Sequence, residues 1–283
     1  MSTLFAGLTP AKNEFIHLVK EGRCIDLPYL ELNGKRFFYA GDIDREGLPV
    51  LFCHGSGGRH QHWLFQMKGL KDIVNPIAVD LPGHGRSEGS PENEIKAYRE
   101  WLNSFIKAAG IGPFIAVGHS MGGAIALDYT LHYPDEILGV ILVGSGGRLR
   151  VLPDFLETLR KGTVPKTFFE FLYGPEASTE LLEKGRGEIE STDASVYYAD
   201  LCACDRFDVM EDLPRIKQPI LIICGSEDLL TPVKYSHYLK EKLPRGQVEV
   251  IGGAGHMVML EKPESVNRAI ERFIEQLDIE SNG

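Results

Sequence analysis

The chain of 283 residues is short of positive charge, because its 30 Lys and Arg stand against 40 Asp and Glu and leave a formal net charge of −10. Nucleic acids and anionic membrane surfaces attract clustered positive charge, so neither is expected as a partner. The sequence also lacks the run of about 18 apolar residues that a membrane-spanning helix needs. Its first residues lack the basic start and apolar stretch of a signal peptide. We therefore expect a cytoplasmic protein.

Cysteine is sparse as well. The five cysteines are odd in number, and their spacing is not that of a disulfide framework or a zinc site. Cys202 and Cys204 form a C-x-C pair with no second Cys or His pair close by. Free thiols in a reducing compartment are the expected state. The sequence thus predicts no metal and no other cofactor, and it gives no indication of the oligomeric state.

Apolar residues make up 43% of the chain, enough for a large core. A hairpin is predicted over residues 27–40, because Asn33 and Gly34 separate two strand-like runs and both tolerate positive φ. Six later runs are short and apolar without alternation, as in strands that are buried on both faces of a parallel sheet. These runs are 50–53, 77–79, 114–117, 140–143, 220–224 and 248–251.

Helical patterns alternate with these strands. Apolar residues recur at three- and four-residue spacing over 92–109 and over 263–277. Alternating strands and helices predict an α/β fold with a mostly parallel central sheet flanked by helices. Between the fourth and fifth apolar runs the alternation stops, and short helical pieces rich in Phe and Leu take its place. We expect a helical insert over 148–208 and a core domain formed by 1–147 and 209–283.

A candidate nucleophile follows the predicted strand 114–117. Residues 118–122 read GHSMG, and an apolar helical stretch comes next. A G-x-S-x-G sequence between a strand and a helix is typical of a nucleophile elbow, which holds Ser120 above the sheet at the positive end of a helix. The two glycines leave room for a turn in which larger side chains would clash.

A serine needs a base to become a good nucleophile. His256 follows the last predicted strand and is the candidate base, while Asp228 follows strand 220–224 and is the candidate acid that orients it. Ser120, Asp228 and His256 then succeed different parallel strands, whose carboxyl ends meet at one edge of the sheet. Glu227 remains the competing acid.

The loop after strand 50–53 reads HGSGG over residues 54–58 and is glycine-rich. It lacks the Lys-Ser/Thr ending of a phosphate-binding loop, so an oxyanion hole is the better interpretation. We expect the backbone N–H groups of Met121 and Ser56 to stabilise the oxyanion, with Gly57 as the alternative to Ser56. His54 is expected to support the loop rather than to take part in chemistry.

These motifs, together with DLPGHGRS at 80–87 and GSED at 225–228, resemble the α/β-hydrolase fold family and its esterase-like serine hydrolases over about residues 25–279. The resemblance implies a serine hydrolase that forms an acyl-enzyme, and it implies that the insert is a cap over the site. Asp80 and His84 would belong to a structural turn.

Ester hydrolysis is the function that this resemblance favours, with a small-molecule ester-like substrate. A serine at position 120 argues against the related enzymes that use an aspartate nucleophile. Enol-lactone hydrolysis, carbon–carbon hydrolysis and cofactor-free perhydrolysis remain alternatives on the same triad, although His119 stands where carbon–carbon hydrolases usually have Asn. A small-molecule receptor or binding module of the same fold is the alternative of another class.

The insert indicates an apolar pocket for small or medium acyl groups. Phe168 and Phe171 from the insert, and Trp63 after the oxyanion loop, are predicted to line it. An enclosed pocket of this kind would make long-chain triglycerides poor substrates.

Overall fold

The computed structural model describes the backbone of residues 16–20 and 23–277, and side chains from residue 28 onward. A small antiparallel sheet pairs β1 (Ile16–Lys20) with β2 (Arg23–Leu27). The other strands form one eight-stranded sheet. They are β3 (Tyr29–Leu32), β4 (Lys35–Ala40), β5 (Pro49–Cys53), β6 (Asn75–Val79), β7 (Phe114–His119), β8 (Ile137–Val143), β9 (Ile220–Gly225) and β10 (Gly246–Ile251). The expectation about the first residues and the side chain of Cys24 lie outside what is described.

The large sheet has the strand order β10-β9-β8-β7-β5-β6-β4-β3. Strands β5 to β10 pair with one another in parallel, whereas β4 pairs antiparallel with both β3 and β6. The predicted hairpin is confirmed, since Asn33 and Gly34 have φ values of 53° and 73°. The mostly parallel α/β fold is confirmed too. Only β10 departs from the expected two-sided burial, because it lies at the edge of the sheet and leaves Gln247 and Val250 exposed.

Ten α-helices connect these strands in the described part of the chain. They are α1 (Leu64–Leu70), α2 (Ile95–Ala109), α3 (Met121–His132), α4 (Pro153–Arg160), α5 (Lys166–Glu170), α6 (Thr179–Ser191), α7 (Ala194–Arg206), α8 (Val233–Lys242), α9 (Val258–Glu261) and α10 (Pro263–Glu275). The predicted helices over 92–109 and 263–277 correspond to α2 and α10. Gly110 ends α2 in the left-handed conformation, where a glycine avoids the strain of a Cβ atom.

Apolar clusters cover both faces of the sheet. Helices α2, α3 and α8 pack on one face, and Phe105, Ile125 and Leu239 are among their fully buried side chains. Helices α1 and α10 pack together on the other face, through residues such as Leu70 and Ile270. This two-sided cover explains why the central strands read as continuous apolar runs.

The order in which the chain adds strands to the sheet reverses beside β5. Its neighbours are β6 on one side and β7 on the other, so the connections that follow β5 and β7 run to opposite sides. In open α/β sheets the crevice at such a switch point, at the carboxyl ends of the strands, is where ligands bind. The loops that carry Ser56 and Ser120 both start there.

Between β8 and β9 lie the four helices α4 to α7. The segment leaves and rejoins the core side by side, since Val209 N donates to Gly147 O at 2.9 Å and Arg148 forms a bridge with Asp208. Its interior is a small apolar cluster around Leu159, Phe168 and Tyr197. Short helices with their own cluster therefore replace the strand–helix alternation here.

Across residues 16–20 and 23–277, no helix combines the length and the apolar character that crossing a membrane requires.

Candidate active site

Ser120 stands in a sharp turn between β7 and α3. It has φ 51° and ψ −114°, a region that non-glycine residues rarely adopt and that costs about 1–3 kcal/mol. The turn is held from both sides, because Ser120 N donates to Val143 O at 2.9 Å and Ser145 Oγ donates to Ser120 O at 2.8 Å. Backbone strain that the surrounding structure holds in place is typical of functional sites, which makes Ser120 a candidate.

The two glycines of the turn make its tightness possible. A Cβ atom on Gly118 would lie 2.1 Å from Gly122 O, and one on Gly122 would lie 2.3 Å from Cys53 O. Because the clashing atoms are backbone, they cannot rotate away. The strand, the helix and the end of β5 therefore approach one another only with glycine at both positions.

His256 and Asp228 meet at the carboxyl edge of the sheet. Asp228 Oδ2 accepts a hydrogen bond from His256 Nδ1 at 2.9 Å, and it also accepts one from Thr231 Oγ1 at 2.8 Å. Thr231 N donates to the other oxygen, Oδ1, at 2.8 Å. A carboxylate only accepts, so Nδ1 of His256 carries a proton, and in the neutral form of the ring Nε2 has the lone pair that a base needs.

Burial raises the pKa of the Asp228 carboxyl, which is 3% exposed. The facing His256 and the hydrogen bonds from His256 and Thr231 outweigh burial and hold that pKa well below its ordinary value. The competing acid Glu227 is exposed, and its carboxylate accepts from Ser226 Oγ. Of the two candidate acids, Asp228 is the one that contacts His256.

His119 joins three of the loops at this edge. Its Nε2 donates to the carbonyl oxygen of His256 at 3.0 Å, and the two rings lie 4.6 Å apart. A Cβ atom on Gly55 would be 2.7 Å from His119 Nδ1. Burial, together with nearby His256 and His62, lowers the pKa of His119 well below its ordinary value, so the ring is neutral. Sequence reasoning missed this link because the bond spans more than a hundred residues.

Of the two predicted oxyanion donors, Ser56 lines the cavity in front of Ser120, and Met121 directly follows Ser120. Met121 N belongs to the first turn of α3, where backbone N–H groups have no partner within the helix. Ser56 N has no hydrogen-bond partner in the described part of the chain. Gly57 N, the alternative, donates to Asp200 Oδ2 at 2.8 Å and is therefore engaged. The geometry thus favours Ser56 over Gly57.

Asp200 on α7 is fully buried and fastens the four-helix segment to the core. Besides Gly57 N, its carboxylate accepts from His84 Nε2 at 2.8 Å and from Tyr98 Oη at 2.6 Å. Burial lowers the pKa of His84, but the Asp200 carboxylate, the Pro82 carbonyl and Asp80 together outweigh burial and raise it. His84 and Asp80 serve structure, since Asp80 accepts from the backbone of His60 and Arg86.

We expect Asp200→Ala to lower the free energy of unfolding by about 3–5 kcal/mol, because three buried donors lose their acceptor. The melting temperature should fall by roughly 10 °C in a thermal scan. Asp200→Asn should cost less, since one amide oxygen can still accept. Asp72→Ala is the control, because Asp72 is exposed. Equal melting temperatures for Asp200→Ala and the control would contradict this role.

A cavity of about 470 Å³ opens in front of Ser120 and His256. Its wall combines the loop after β5, side chains from all four helices α4 to α7 and the loop after Asp228. Phe168 and Phe171 lie on this wall, as does Thr231. Phe168 is 7% exposed and packs edge-on against Phe155 and Tyr197, whereas Phe171 is 38% exposed. The predicted insert therefore contributes side chains to the same space as Ser120.

Trp63 does not line this cavity, contrary to the expectation from its place in the sequence. It is fully buried and packs against Phe52 with ring centroids 5.1 Å apart. Residues 60–63 form a short helical turn that directs the indole into the core beneath the sheet edge. The side chain that follows the oxyanion loop and faces the cavity is His62.

Sequence reasoning also missed Thr231, Asp200 and Glu188. Thr231 had a local signal, since an aspartate followed three residues later by threonine favours a turn closed on the aspartate side chain. Asp200 and Glu188 had none, because each meets partners far away in the chain.

The comparisons with known proteins agree with the fold. A model described as "Alpha/beta hydrolase family" matches residues 50–269. The chain therefore belongs to the alpha/beta hydrolase family, as its motifs indicated.

Two curated relatives and one solved structure illustrate the range within the family. A dihydrolipoyllysine-residue acetyltransferase component of the acetoin cleaving system of Pseudomonas putida is 27% identical, over 81% of this chain and 64% of that relative. A monoacylglycerol lipase of Rattus norvegicus is 26% identical, over 80% of this chain and 74% of the lipase. A thermophilic esterase of known structure is 34% identical with a TM-score of 0.76, covering 88% of this chain and 97% of the esterase.

Proposed function

We propose that the protein is a serine esterase that hydrolyses small or medium carboxylic esters through an acyl-enzyme at Ser120. The observation that carries the proposal is the buried Asp228–His256 pair, 2.9 Å apart, because its His256 lines the same cavity as the strained Ser120. The likeness to a thermophilic esterase of known structure supports it. Hydrolases are also among the curated relatives.

In the proposed reaction Ser120 Oγ attacks the ester carbonyl carbon while Nε2 of His256 takes the hydroxyl proton. Asp228 holds the proton on Nδ1 and stabilises the imidazolium that forms. The tetrahedral intermediate then expels the alcohol, which receives the proton from Nε2. Water attacks the acyl-enzyme as it gives a proton to Nε2. The second tetrahedral intermediate then breaks its bond to Ser120 Oγ, which takes that proton back from Nε2, and the carboxylic acid leaves.

The oxyanion of both tetrahedral intermediates would accept hydrogen bonds from Ser56 N and Met121 N. Loss of one such donor in other serine hydrolases costs about a hundredfold or more in kcat. Asp200 supports this arrangement because it engages the neighbouring Gly57 N. It would thereby keep the loop after β5 in one conformation.

We further propose that residues 148–208 are a cap that limits substrate size. The cavity carries apolar side chains from this segment, and a water-poor site strengthens the oxyanion interactions. A cavity of about 470 Å³ suits a small or medium ester. Long-chain triglycerides should be poor substrates.

We expect Phe171→Ala to shift the preferred acyl chain toward longer esters, because the change removes side-chain volume from the cavity wall. Phe168→Ala should do the same but also cost about 3–5 kcal/mol of stability, since this ring is buried. The measurement is kcat/KM across p-nitrophenyl esters graded by acyl length. Phe169→Ala is the matched control, because Phe169 packs against Tyr173 and is not on the cavity wall. Lower melting temperatures with an unchanged acyl profile would assign both residues to the cap interior.

The same ester panel tests the proposed function in the unmodified protein. Turnover of short and medium p-nitrophenyl esters, with little activity on emulsified triglycerides, would support an enclosed esterase site. Absence of turnover on every ester, despite intact folding, would favour a binding role instead. A preference for emulsified long-chain triglycerides would overturn the enclosed-cavity proposal.

A further inference from the structure

One side of the largely apolar cavity carries a carboxylate. Glu188 on α6 lines the cavity, and its side chain is 25% exposed. Its Oε1 accepts from Arg59 Nε at 3.0 Å and from His62 Nε2 at 2.8 Å. Its Oε2 has no hydrogen-bond partner in the described portion of the chain. Burial raises the pKa of Glu188, but His62 and Arg59 outweigh burial and lower it, so the group is ionised.

His62 borders the same part of the cavity. It is 9% exposed, and a Cβ atom on Gly58 would lie 2.8 Å from its Nδ1. Because Glu188 only accepts, Nε2 of His62 must donate to it. Nδ1 is buried without a partner among the described side chains and backbone groups. This nitrogen has almost no accessible surface and lies beside Gly58, so His62 acts on the cavity through Nε2, by holding the Glu188 carboxylate in place.

The charges at this place select the kind of ligand. The Glu188 carboxylate repels anions, and Arg59 at 3.0 Å neutralises the charge that would otherwise attract a cation. Oε2 of Glu188 therefore remains a free hydrogen-bond acceptor on the wall of a largely apolar cavity. A neutral hydrogen-bond donor fits it best, and a hydroxyl group is the simplest such donor on an ester substrate.

We propose that Glu188 recognises a hydroxyl group on the substrate, so that the preferred esters are hydroxylated. The hydroxyl would donate to Oε2, while Arg59 and His62 hold the carboxylate in place through Oε1. This specificity rests on the proposed ester hydrolysis at Ser120. It differs from a purely structural ion pair between α6 and the loop after β5, which would leave substrate preference untouched.

The test compares matched esters with and without a hydroxyl group. On the alcohol side the pair is glyceryl monobutyrate and propyl butyrate, and on the acyl side it is the p-nitrophenyl esters of ω-hydroxyhexanoate and hexanoate. We expect kcat/KM to favour the hydroxylated ester of at least one pair by about tenfold or more, as for a hydrogen bond to a charged group. In Glu188→Gln the hydroxyl can still bond to the neutral amide but no longer to a charged group, so the ratio should fall to about threefold or less.

Glu190→Gln is the control, because Glu190 is exposed on the same helix. Its ratio should equal that of the unmodified protein. Activity of Glu188→Gln on the plain esters shows that the variant is folded. A ratio near one for both pairs, or a ratio that Glu188→Gln leaves unchanged, would overturn the hydroxyl proposal while ester hydrolysis stands. Faster hydrolysis of butyrylcholine than of its uncharged isostere would also overturn it, in favour of a cation site. Failure to hydrolyse any ester would refute the proposed function itself.

Discussion

Ser120→Ala should lower kcat on a good ester substrate by on the order of 10⁴ or more, leaving only the rate that binding and the oxyanion donors supply. Alanine keeps the Cβ atom and removes only the attacking oxygen. Its Cβ atom meets about the same strain at the positive φ of the elbow as that of serine does, so the fold should persist. The measurement is steady-state hydrolysis of a p-nitrophenyl ester, with protein freed of any co-purified esterase.

Ser104→Ala is the matched control, because Ser104 lies on the exposed side of α2 and its hydroxyl bonds only to the backbone of its own helix. It should retain full activity. A Ser120→Ala protein with near-normal kcat would contradict the acyl-enzyme proposal, because Ser120 is the proposed nucleophile.

Asp228→Asn should lower kcat by on the order of 10³ to 10⁴. An amide nitrogen facing Nδ1 would force the proton of His256 onto Nε2, where the base must accept one from Ser120. Glu227→Gln should change kcat by less than about threefold, because the Glu227 carboxylate bonds to Ser226 and its loss there is a surface change. Both variants differ from the parent by the same chemical replacement at adjacent positions.

Circular dichroism and a thermal scan accompany these rates, because Asp228 also accepts from Thr231 and from Leu230 N. A folded Asp228→Asn protein with low kcat supports the orienting role. If Glu227→Gln lowered kcat strongly and Asp228→Asn changed it little, the orienting acid would be Glu227.

Much of the fold could be predicted because its signals are local. Asn33 and Gly34 define a two-residue hairpin turn wherever they fall between strand-like runs. The apolar runs of the central strands require cover on both faces, which means helices on both sides. Ser120 was predictable for the same reason, since its glycine neighbours, the preceding strand and the following helix lie within a few residues.

The parts that sequence could not predict depend on distant contacts. Trp63 is a large aromatic residue close to the loop after β5, which suggests a pocket position. Only the helical turn that contains it determines that Trp63 faces the core while His62 faces the cavity. Asp200 looks like an ordinary helical aspartate until the fold brings Gly57, His84 and Tyr98 to it. Partners of this kind are set by tertiary packing, and propensity and spacing contain no information about them.

The most direct test of whether His256 activates Ser120 as a nucleophile is mass spectrometry of the protein after treatment with a fluorophosphonate. Such reagents phosphonylate activated serines, so we predict one adduct per chain, located by peptide mapping on Ser120, and loss of ester turnover in proportion to labelling. Ser120→Ala should remain unlabelled under the same conditions. A fully active protein that carries no adduct, or an adduct on a different residue that alone abolishes turnover, would contradict the account.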